Sequence, residues 1–162
     1  MPKKTKGLIK INTVEFTEYV TKFQPNIFRL AYSYVKNTAD AEDITQEVFL
    51  RLYRSNETFI SDENAKAWLI RVTINTVKNY LLSFYRKHKV ALTEDIALND
   101  EKDYALLEAL NRLNKNYRVV IYLHYYEGYP VSEIASMLGI SENNVKQRLK
   151  RGRDKLRTCL TD

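Results

Sequence analysis

Apolar residues recur at helical spacing along most of the chain, and the breaks in that rhythm divide it into short segments. Pro25 interrupts the first apolar stretch and can begin a new helix. We predict helices over residues 14–23, 26–36, 39–53, 65–86, 104–113 and 118–126, followed by two more within residues 131–157. The pattern therefore predicts an all-α protein with four helices in each half.

The rhythm stops between the two halves, where the chain is polar and contains the run TEDIALNDEKD. We interpret residues 88–102 as a flexible linker. The sequence thus predicts two small helical domains, over residues 13–87 and 103–160. The low content of four Gly and three Pro in 162 residues favours helices over an all-β fold, which needs many more turns.

The segment VSEIASMLGISENNVKQRLKRGRDKLR, residues 131–157, predicts a helix-turn-helix. Gly139 stands at the corner, where the backbone conformation is costly for other residues, and Ala135 stands where the two helices approach each other. Ser141 can cap the second helix, and the Glu142 carboxylate favours its positive end. The predicted inner face consists of Ile134, Leu138, Ile140, Val145 and Leu149.

The outer face of this second helix is rich in amides and cations, which suit base edges and phosphates. It carries Asn143, Asn144, Lys146, Gln147, Arg148, Lys150 and Arg151. The alternative is an ordinary helical hairpin with a solvated basic face.

Bulk properties fit a polyanion partner without requiring one. The net charge is +6 and the pI is near 9.3, values shared by many unrelated proteins. The single Cys159 excludes an intramolecular disulfide and a cysteine zinc cluster. No apolar run is long enough for membrane insertion, and the start of the chain lacks a signal-peptide core, so we expect a cytoplasmic protein. We expect no cofactor, metal or small-molecule substrate.

The predicted helix over residues 39–53 begins with ADAEDITQE, an acidic run with no neighbouring Lys or Arg. Asp40, Asp43 and Glu47 follow one another at one-turn spacing, and like charges so placed repel by a few tenths of a kcal/mol. Carboxylates stabilise a helix N-terminus, which explains Asp40 and Glu42 but explains Glu47 less well. A basic partner could offset the repulsion, and so could the positive charge of the protein itself.

The predicted helix over residues 65–86 mixes aromatic rings, cations and amides, a combination that binds unpaired bases and their backbone. Trp68 stands at helical spacing with Val72, which favours core packing for its ring. Asn75 and Asn79 lie one turn apart, so they can share a recognition edge.

The order FRLAYSYVKNTADAEDITQEVFLRLY, AKAWLIRVTINTVKNYL and terminal helix-turn-helix resembles the bacterial RNA polymerase sigma factors of the sigma-70 family. It is most similar to the two-domain branch called extracytoplasmic-function sigma factors, over residues 14–160. The resemblance implies a non-enzymatic initiation factor that binds core RNA polymerase and promoter DNA. It also implies an anti-sigma partner.

The resemblance assigns roles to matching positions. The polymerase-binding helix would use Asp40, Glu42, Asp43, Gln46, Glu47 and Phe49. The promoter element nearest the start site would be read and opened by Phe59, Trp68, Arg71, Asn75 and Asn79, with residues 55–64 forming the pocket for a flipped-out base. The upstream element would be read by Ser141, Asn143, Asn144, Lys146, Gln147, Arg148, Lys150 and Arg151.

Further expectations concern the remaining segments. Leu110, Leu113 and residues 117–126 would include the face held by a flexible flap of the polymerase, and the acidic linker would run through its RNA path. This sequence departs from the family at Asn79, where Asp is frequent, and at Leu82, where a basic residue is frequent.

Two other functions fit parts of the pattern. A stand-alone operator-binding regulator could use the same helix-turn-helix, although such proteins usually dimerise to read two half-sites. An enzyme acting on nucleic acid would need a metal site or an activated nucleophile. Neither His88 nor His124 has the spacing of a metal ligand, and an exposed acidic helix gives poor coordination.

Overall fold

The computed structural model of the protein describes residues 12–87, with side chains through residue 83, and residues 108–161. Within those ranges the regular structure is helical throughout, as predicted. The predicted linker over residues 88–102 and the start of the predicted helix 104–113 lie outside the described residues.

The first domain contains three long helices, α1 (Thr13–Val35), α2 (Thr38–Arg54) and α3 (Asp62–Lys87), each packed against the other two. Asn12 and Asn37 cap α1 and α2 through their side-chain oxygens, which accept from backbone N–H groups in the first turn. The apolar stripes of the helices meet in one core, whose members include Phe23, Ile27, Leu30, Ile44, Val48, Leu52, Leu69, Ile74 and Val77.

The prediction of two helices around Pro25 is wrong, because α1 continues through it without a break. Proline removes one backbone hydrogen bond and normally kinks or ends a helix. Here the ring of Pro25 is exposed, while Phe23 and Ile27 on either side are buried in the core. Their burial outweighs the local cost, and the first domain has three helices where four were predicted.

The second domain begins, within the described residues, with a helical stretch at 108–112, here called α4. It continues with α5 (Lys115–Ile121), α6 (Val131–Leu138) and α7 (Glu142–Thr161). Between α5 and α6 the chain widens into a π-helical turn, Tyr122–Tyr126. The predicted helix 118–126 therefore starts three residues earlier than expected and ends in this wider turn.

The predicted helix-turn-helix is confirmed in its geometry. Gly139 ends α6 in the left-handed region, with a φ of 67°. The Ser141 hydroxyl accepts from the backbone N–H of Asn144 at 3.1 Å and so caps α7. Ile134, Ala135, Val145 and Leu149 are all buried, and Ile140 is half-buried.

Gly152 is a packing position that the sequence analysis did not single out. It lies on α7 where that helix crosses α5, and a Cβ atom there would stand 2.6 Å from Ile121 Cδ1 and 3.3 Å from Tyr117 Cβ. A glycine in the middle of a basic helix thus allows α5 and α7 to approach closely.

The two domains contact each other through helix ends. Arg118 on α5 is only 5% exposed, and it donates to the carbonyl oxygens of Ser33 and Tyr34 in the last turn of α1. It also donates to the Leu113 carbonyl of its own domain at 2.6 Å. In the other direction the Lys36 ammonium, just after α1, donates to the Asn111 carbonyl near the end of α4. Cations at carbonyl-rich helix ends are favourable, so each domain helps to cap a helix of the other.

Candidate polymerase and nucleic-acid interfaces

The acidic run lies on the first three turns of α2, and its side chains differ in their exposure to solvent. Glu42, Asp43 and Gln46 are exposed, whereas Asp40 and Glu47 are half-buried. The structure corrects the expectation that no cation accompanies the run, because Arg51 Nε lies 3.1 Å from a Glu47 carboxylate oxygen. Such an exposed pair one turn apart contributes only a few tenths of a kcal/mol.

Asp40 has a partner inside the first domain. Burial raises the pKa of the Tyr80 hydroxyl, and a hydrogen bond to Asp40 raises it further. Since Tyr80 belongs to α3, this contact ties the start of the acidic run to the neighbouring helix. The freely available part of the run is therefore Glu42, Asp43 and Gln46.

The side chain of Phe49 is too deeply buried to contact a partner. Its side chain is 6% exposed and belongs to the core shared by α1, α2 and α3. We withdraw it from the polymerase contacts. Leu50, the next residue, is 44% exposed. The apolar line along α2 contained Phe49, and burial is the usual fate of residues on such a line.

An aromatic cluster connects the loop between α2 and α3 to α1 and α3. The Phe59 ring lies 5.7 Å from the ring of Trp68 and 5.8 Å from that of Tyr19, measured between centroids. Phe59 and Trp68 are each half-buried, so the expected packing role of Trp68 accounts for part of its surface. Ile60 beside them is 94% exposed, which the sequence analysis did not anticipate.

The polar residues predicted on the long helix lie on the surface of α3. Arg71, Asn75 and Asn79 are all exposed, and the two asparagines are one turn apart as predicted. Arg71 is already engaged, since its guanidinium donates to the Ser136 hydroxyl of α6 at 3.3 Å. Arg71 on this face of α3 therefore contacts the second domain.

The outer face of α7 is mostly open. Six of its predicted residues are exposed, namely Ser141, Asn143, Lys146, Gln147, Lys150 and Arg151. Asn144 and Arg148 are half-buried, with Arg148 Nε donating to the Asn144 side-chain oxygen at 2.9 Å. Burial raises the pKa of Tyr34 on α1, and the positive charge of Arg148 acts against that rise. Arg148 is thus close enough to influence the first domain.

A polar cluster around Glu127 lies between the domains and was missed from the sequence. The Glu127 side chain is 2% exposed, and its carboxylate forms an ion pair with Lys66 of α3. Asn26 of α1 donates to both carboxylate oxygens, at 2.9 and 3.2 Å, and the Tyr122 hydroxyl donates to one of them. The sequence YYEGYP gave no periodic signal for burial here, since the partners are distant along the chain.

The ionisation of Glu127 follows from these contacts. Burial by itself would raise the pKa of the carboxyl group, but hydrogen bonds from Lys66, Tyr122 and Asn26 outweigh it and leave the pKa of Glu127 lowered. The pKa of Tyr122 is raised by burial and by its bond to Glu127. Glu127 is therefore a charged carboxylate at neutral pH, although it is almost fully enclosed.

A helical chain with a helix-turn-helix and a basic, amide-rich exposed face on α7 defines a DNA-binding protein, and α2 adds a separate acidic face. Comparison with known families specifies the class. The sigma-70 region 2 family matches residues 19–87, and the sigma-70 region 4 family matches residues 103–156.

Individual relatives agree with these matches. RNA polymerase sigma factor SigV of Bacillus subtilis is 33% identical over 150 residues, covering 88% of this chain and 89% of its own. Sigma factor RpoE of Bartonella quintana, solved in complex with the anti-sigma factor NepR, superposes with a TM-score of 0.77 at 22% identity, over 91% of this chain and 97% of its own. CnrH, solved with the cytosolic domain of CnrY, gives a TM-score of 0.65 at 26% identity, over 93% and 90%.

The chain belongs to the sigma-70 family of RNA polymerase sigma factors, in its extracytoplasmic-function branch. It is a promoter-specific transcription initiation factor, and its partners are core RNA polymerase and promoter DNA. No helix within residues 12–87 and 108–161 combines the length and apolar character needed to cross a membrane.

Proposed function

We propose that this initiation factor divides its work among three surfaces: α2 binds core polymerase, α3 with the preceding loop captures the downstream promoter element, and α7 reads the upstream element. One observation carries this assignment. A single chain exposes both an acidic face on α2 and a basic, amide-rich face on a helix-turn-helix, so it can bind a basic protein surface and DNA simultaneously. The protein has no catalytic step of its own and acts where polymerase acts, in the cytoplasm.

The polymerase contact consists of Glu42, Asp43 and Gln46, with Asp40 and Glu47 at its edges. The exposed carboxylates of Glu42 and Asp43 present negative charge to a partner, and the exposed Gln46 amide lies one turn further along the same helix. A basic partner surface pairs with these carboxylates and gains specificity through charge complementarity.

The downstream element is captured by the aromatic cluster and the polar face of α3. Phe59 and Trp68 each retain exposed ring surface on which an unpaired base can stack. Arg71, Asn75 and Asn79 supply a cation and amide groups for the strand. Extracting a base from a duplex costs a few kcal/mol, and these contacts offset it.

The upstream element is read in the major groove by α7. The early exposed residues Ser141, Asn143 and Gln147 are placed for base edges, while Lys146, Lys150 and Arg151 are placed for phosphates. Two DNA contacts on one tethered chain gain affinity through effective concentration, so neither has to be strong alone.

The same family membership supports an anti-sigma partner that restrains the factor. CnrH, which is 26% identical to this chain, was solved with the cytosolic domain of CnrY bound. A partner of this kind would compete with polymerase for the acidic face of α2.

The polymerase assignment is tested by Asp43→Lys, with Glu18→Lys on the exposed surface of α1 as an equal charge change elsewhere. We expect Asp43→Lys to lower retention of core polymerase in a pull-down by at least tenfold, because it places a cation against a basic surface. Thermal melts should differ from the parent protein by no more than about 0.5 kcal/mol, as for other surface substitutions.

Equal retention of polymerase by both variants would contradict the assignment to α2. The function as a whole is tested by transcription in vitro with core polymerase on a pool of genomic fragments. New transcripts must start at defined sites only when the protein is present.

A further inference from the structure

The buried carboxylate of Glu127 occupies a place that the first domain builds for an anion. On the side of the first domain, the Lys66 ammonium and the Asn26 amide both point at it. Glu127 comes from the other domain, on the turn that follows the π-helical segment. The donors and the anion they hold thus belong to two different domains.

The first domain places two cations near this single carboxylate. Arg29 lies one turn after Asn26 on α1, and its guanidinium stands 5.1 Å from the ring centroid of Tyr126. The Lys66 ammonium stands 5.8 Å from the ring centroid of Tyr129. Two cations and an amide therefore face the second domain, against the single negative charge of Glu127.

Lys66 also belongs to α3, the helix assigned above to the downstream promoter element. Lys66 and Arg71 lie on the same stretch of α3, and Arg71 contacts Ser136 of the second domain. Trp68 lies between them in sequence and is half-buried against Phe59.

We propose that Asn26, Arg29 and Lys66 form a phosphate-binding site for single-stranded promoter DNA, and that Glu127 occupies this site when the two domains are packed together. The proposal rests on the assignment of α3 to the downstream element. A phosphate diester offers two anionic oxygens, as a carboxylate does, and both accept from ammonium and amide donors. Glu127 therefore competes with DNA for the same donors.

The competition has a direct consequence for the free protein. Removing the charge of Glu127 weakens the closed arrangement and leaves the two cations available, so single-stranded DNA should bind more tightly. Removing the Lys66 charge in the same variant should cancel this gain. The cation that loss of the Glu127 charge makes available to DNA is then absent.

The test uses the full-length protein and a fluorescein-labelled single-stranded oligonucleotide of mixed sequence, with binding followed by anisotropy. Glu127→Gln removes the charge and keeps the shape of the side chain. Glu133→Gln, at an exposed position on α6, makes the same charge change at a carboxylate that has no hydrogen bond or ion pair with Lys66 or Asn26. We expect about a tenfold gain in affinity for Glu127→Gln and less than a twofold change for Glu133→Gln.

The double variant Glu127→Gln, Lys66→Gln locates the effect. This double variant should lose the gain in affinity for single-stranded DNA. The control double variant Glu127→Gln, Lys22→Gln removes an exposed cation elsewhere in the first domain and should keep most of the gain. Equal affinities of Glu127→Gln and Glu133→Gln would overturn the proposal. Full retention of the gain without Lys66 would overturn it as well.

Two further measurements separate this proposal from the proposed function and from a fold defect. Circular dichroism melts confirm that each variant is folded, and transcription with core polymerase is measured on the same preparations. Normal transcription by the parent protein, with no gain for Glu127→Gln, overturns the phosphate site alone. If the parent protein supports no transcription, the proposed function itself fails.

Discussion

The two helices assigned to DNA binding, α7 and α3, differ in how far the rest of the protein engages their polar faces. On α7 the residues Asn143, Lys146 and Lys150 are exposed, and no hydrogen bond or ion pair joins them to the described part of the first domain. On α3, Lys66 and Arg71 are both engaged by the second domain. A polar helical face therefore identifies a binding surface, but it does not show whether another domain covers that surface.

The difference has a physical cause in the way the domains pack. Arg118 and Lys36 hold the ends of α1 and α4 together, and Glu127 completes the contact on the side of α3. The recognition helix α7 takes no part in these bonds, although the charge of Arg148 reaches Tyr34 of α1. We therefore expect duplex binding by α7 to proceed in the packed arrangement, and strand capture by α3 to require that the domains separate.

The largest effect should come from reversing a charge on the free face, in Lys150→Glu. Lys150 is exposed, so the substitution removes a phosphate contact and adds repulsion without disturbing the core. We expect the affinity of the holoenzyme for an upstream-element duplex to fall on the order of 10- to 100-fold at low salt, with the salt slope reduced by about one to two. Gel shifts at several salt concentrations measure both quantities.

The matched control is Arg157→Glu, two turns further along α7 and also exposed. It makes the same charge change beyond the face assigned to the groove, so its effect should be clearly smaller. If the two variants weaken duplex binding equally, the exposed face of α7 contributes only non-specific attraction between positive charge and DNA. The distinction drawn here between α7 and α3 would then be wrong.

A smaller effect should appear in the pH dependence of the contact that covers α3. The groups facing Glu127 are Lys66, Tyr122, Tyr129 and, nearby, Arg29. Because the pKa of Glu127 is lowered in the folded protein, its contribution is present above its ordinary value of 4.5 and is lost as the pH falls through the lowered pKa. The pKa of Tyr129 is raised to about 12, so that group does not titrate in this window.

Thermal melts of the parent protein and of Glu127→Gln measure this contribution. A charge-assisted bond of about 2 kcal/mol corresponds to a difference in Tm of about 5 °C at pH 7. The difference should shrink below pH 4.5 and vanish in stronger acid. A difference that stays constant through this range would show that the charge of Glu127 does not stabilise the contact.

The residues that the sequence identified correctly are those governed by local rules. The turn at Gly139, the Ser141 cap and the buried line of α7 follow from helical spacing and backbone preference, and they hold in the structure. The local rule fails at Pro25, where burial of its neighbours outweighs the lost hydrogen bond. At Phe49 helical spacing agrees with the observed burial, whereas the role taken from the family resemblance required an exposed side chain.

The site around Glu127 was beyond sequence reasoning for a different reason. Its partners Asn26 and Lys66 lie 101 and 61 positions away, and the contact depends on how two domains pack. Gly152 is similar, since its need for a missing Cβ arises only where α7 crosses α5. Periodicity describes which side of a helix is buried, but it does not say which helix will cover it.

The smallest effect should come from Ser136→Ala, which removes the acceptor that holds Arg71. The hydrogen bond is 3.3 Å long and exposed, so water replaces the hydroxyl at little cost. We expect single-stranded DNA to bind with less than a twofold gain, against about tenfold for Glu127→Gln in the same anisotropy assay. If Ser136→Ala instead matches Glu127→Gln, the guanidinium of Arg71 is the group that the second domain withholds from DNA. The covered face of α3 would then be controlled from α6, with Lys66 having only a structural role.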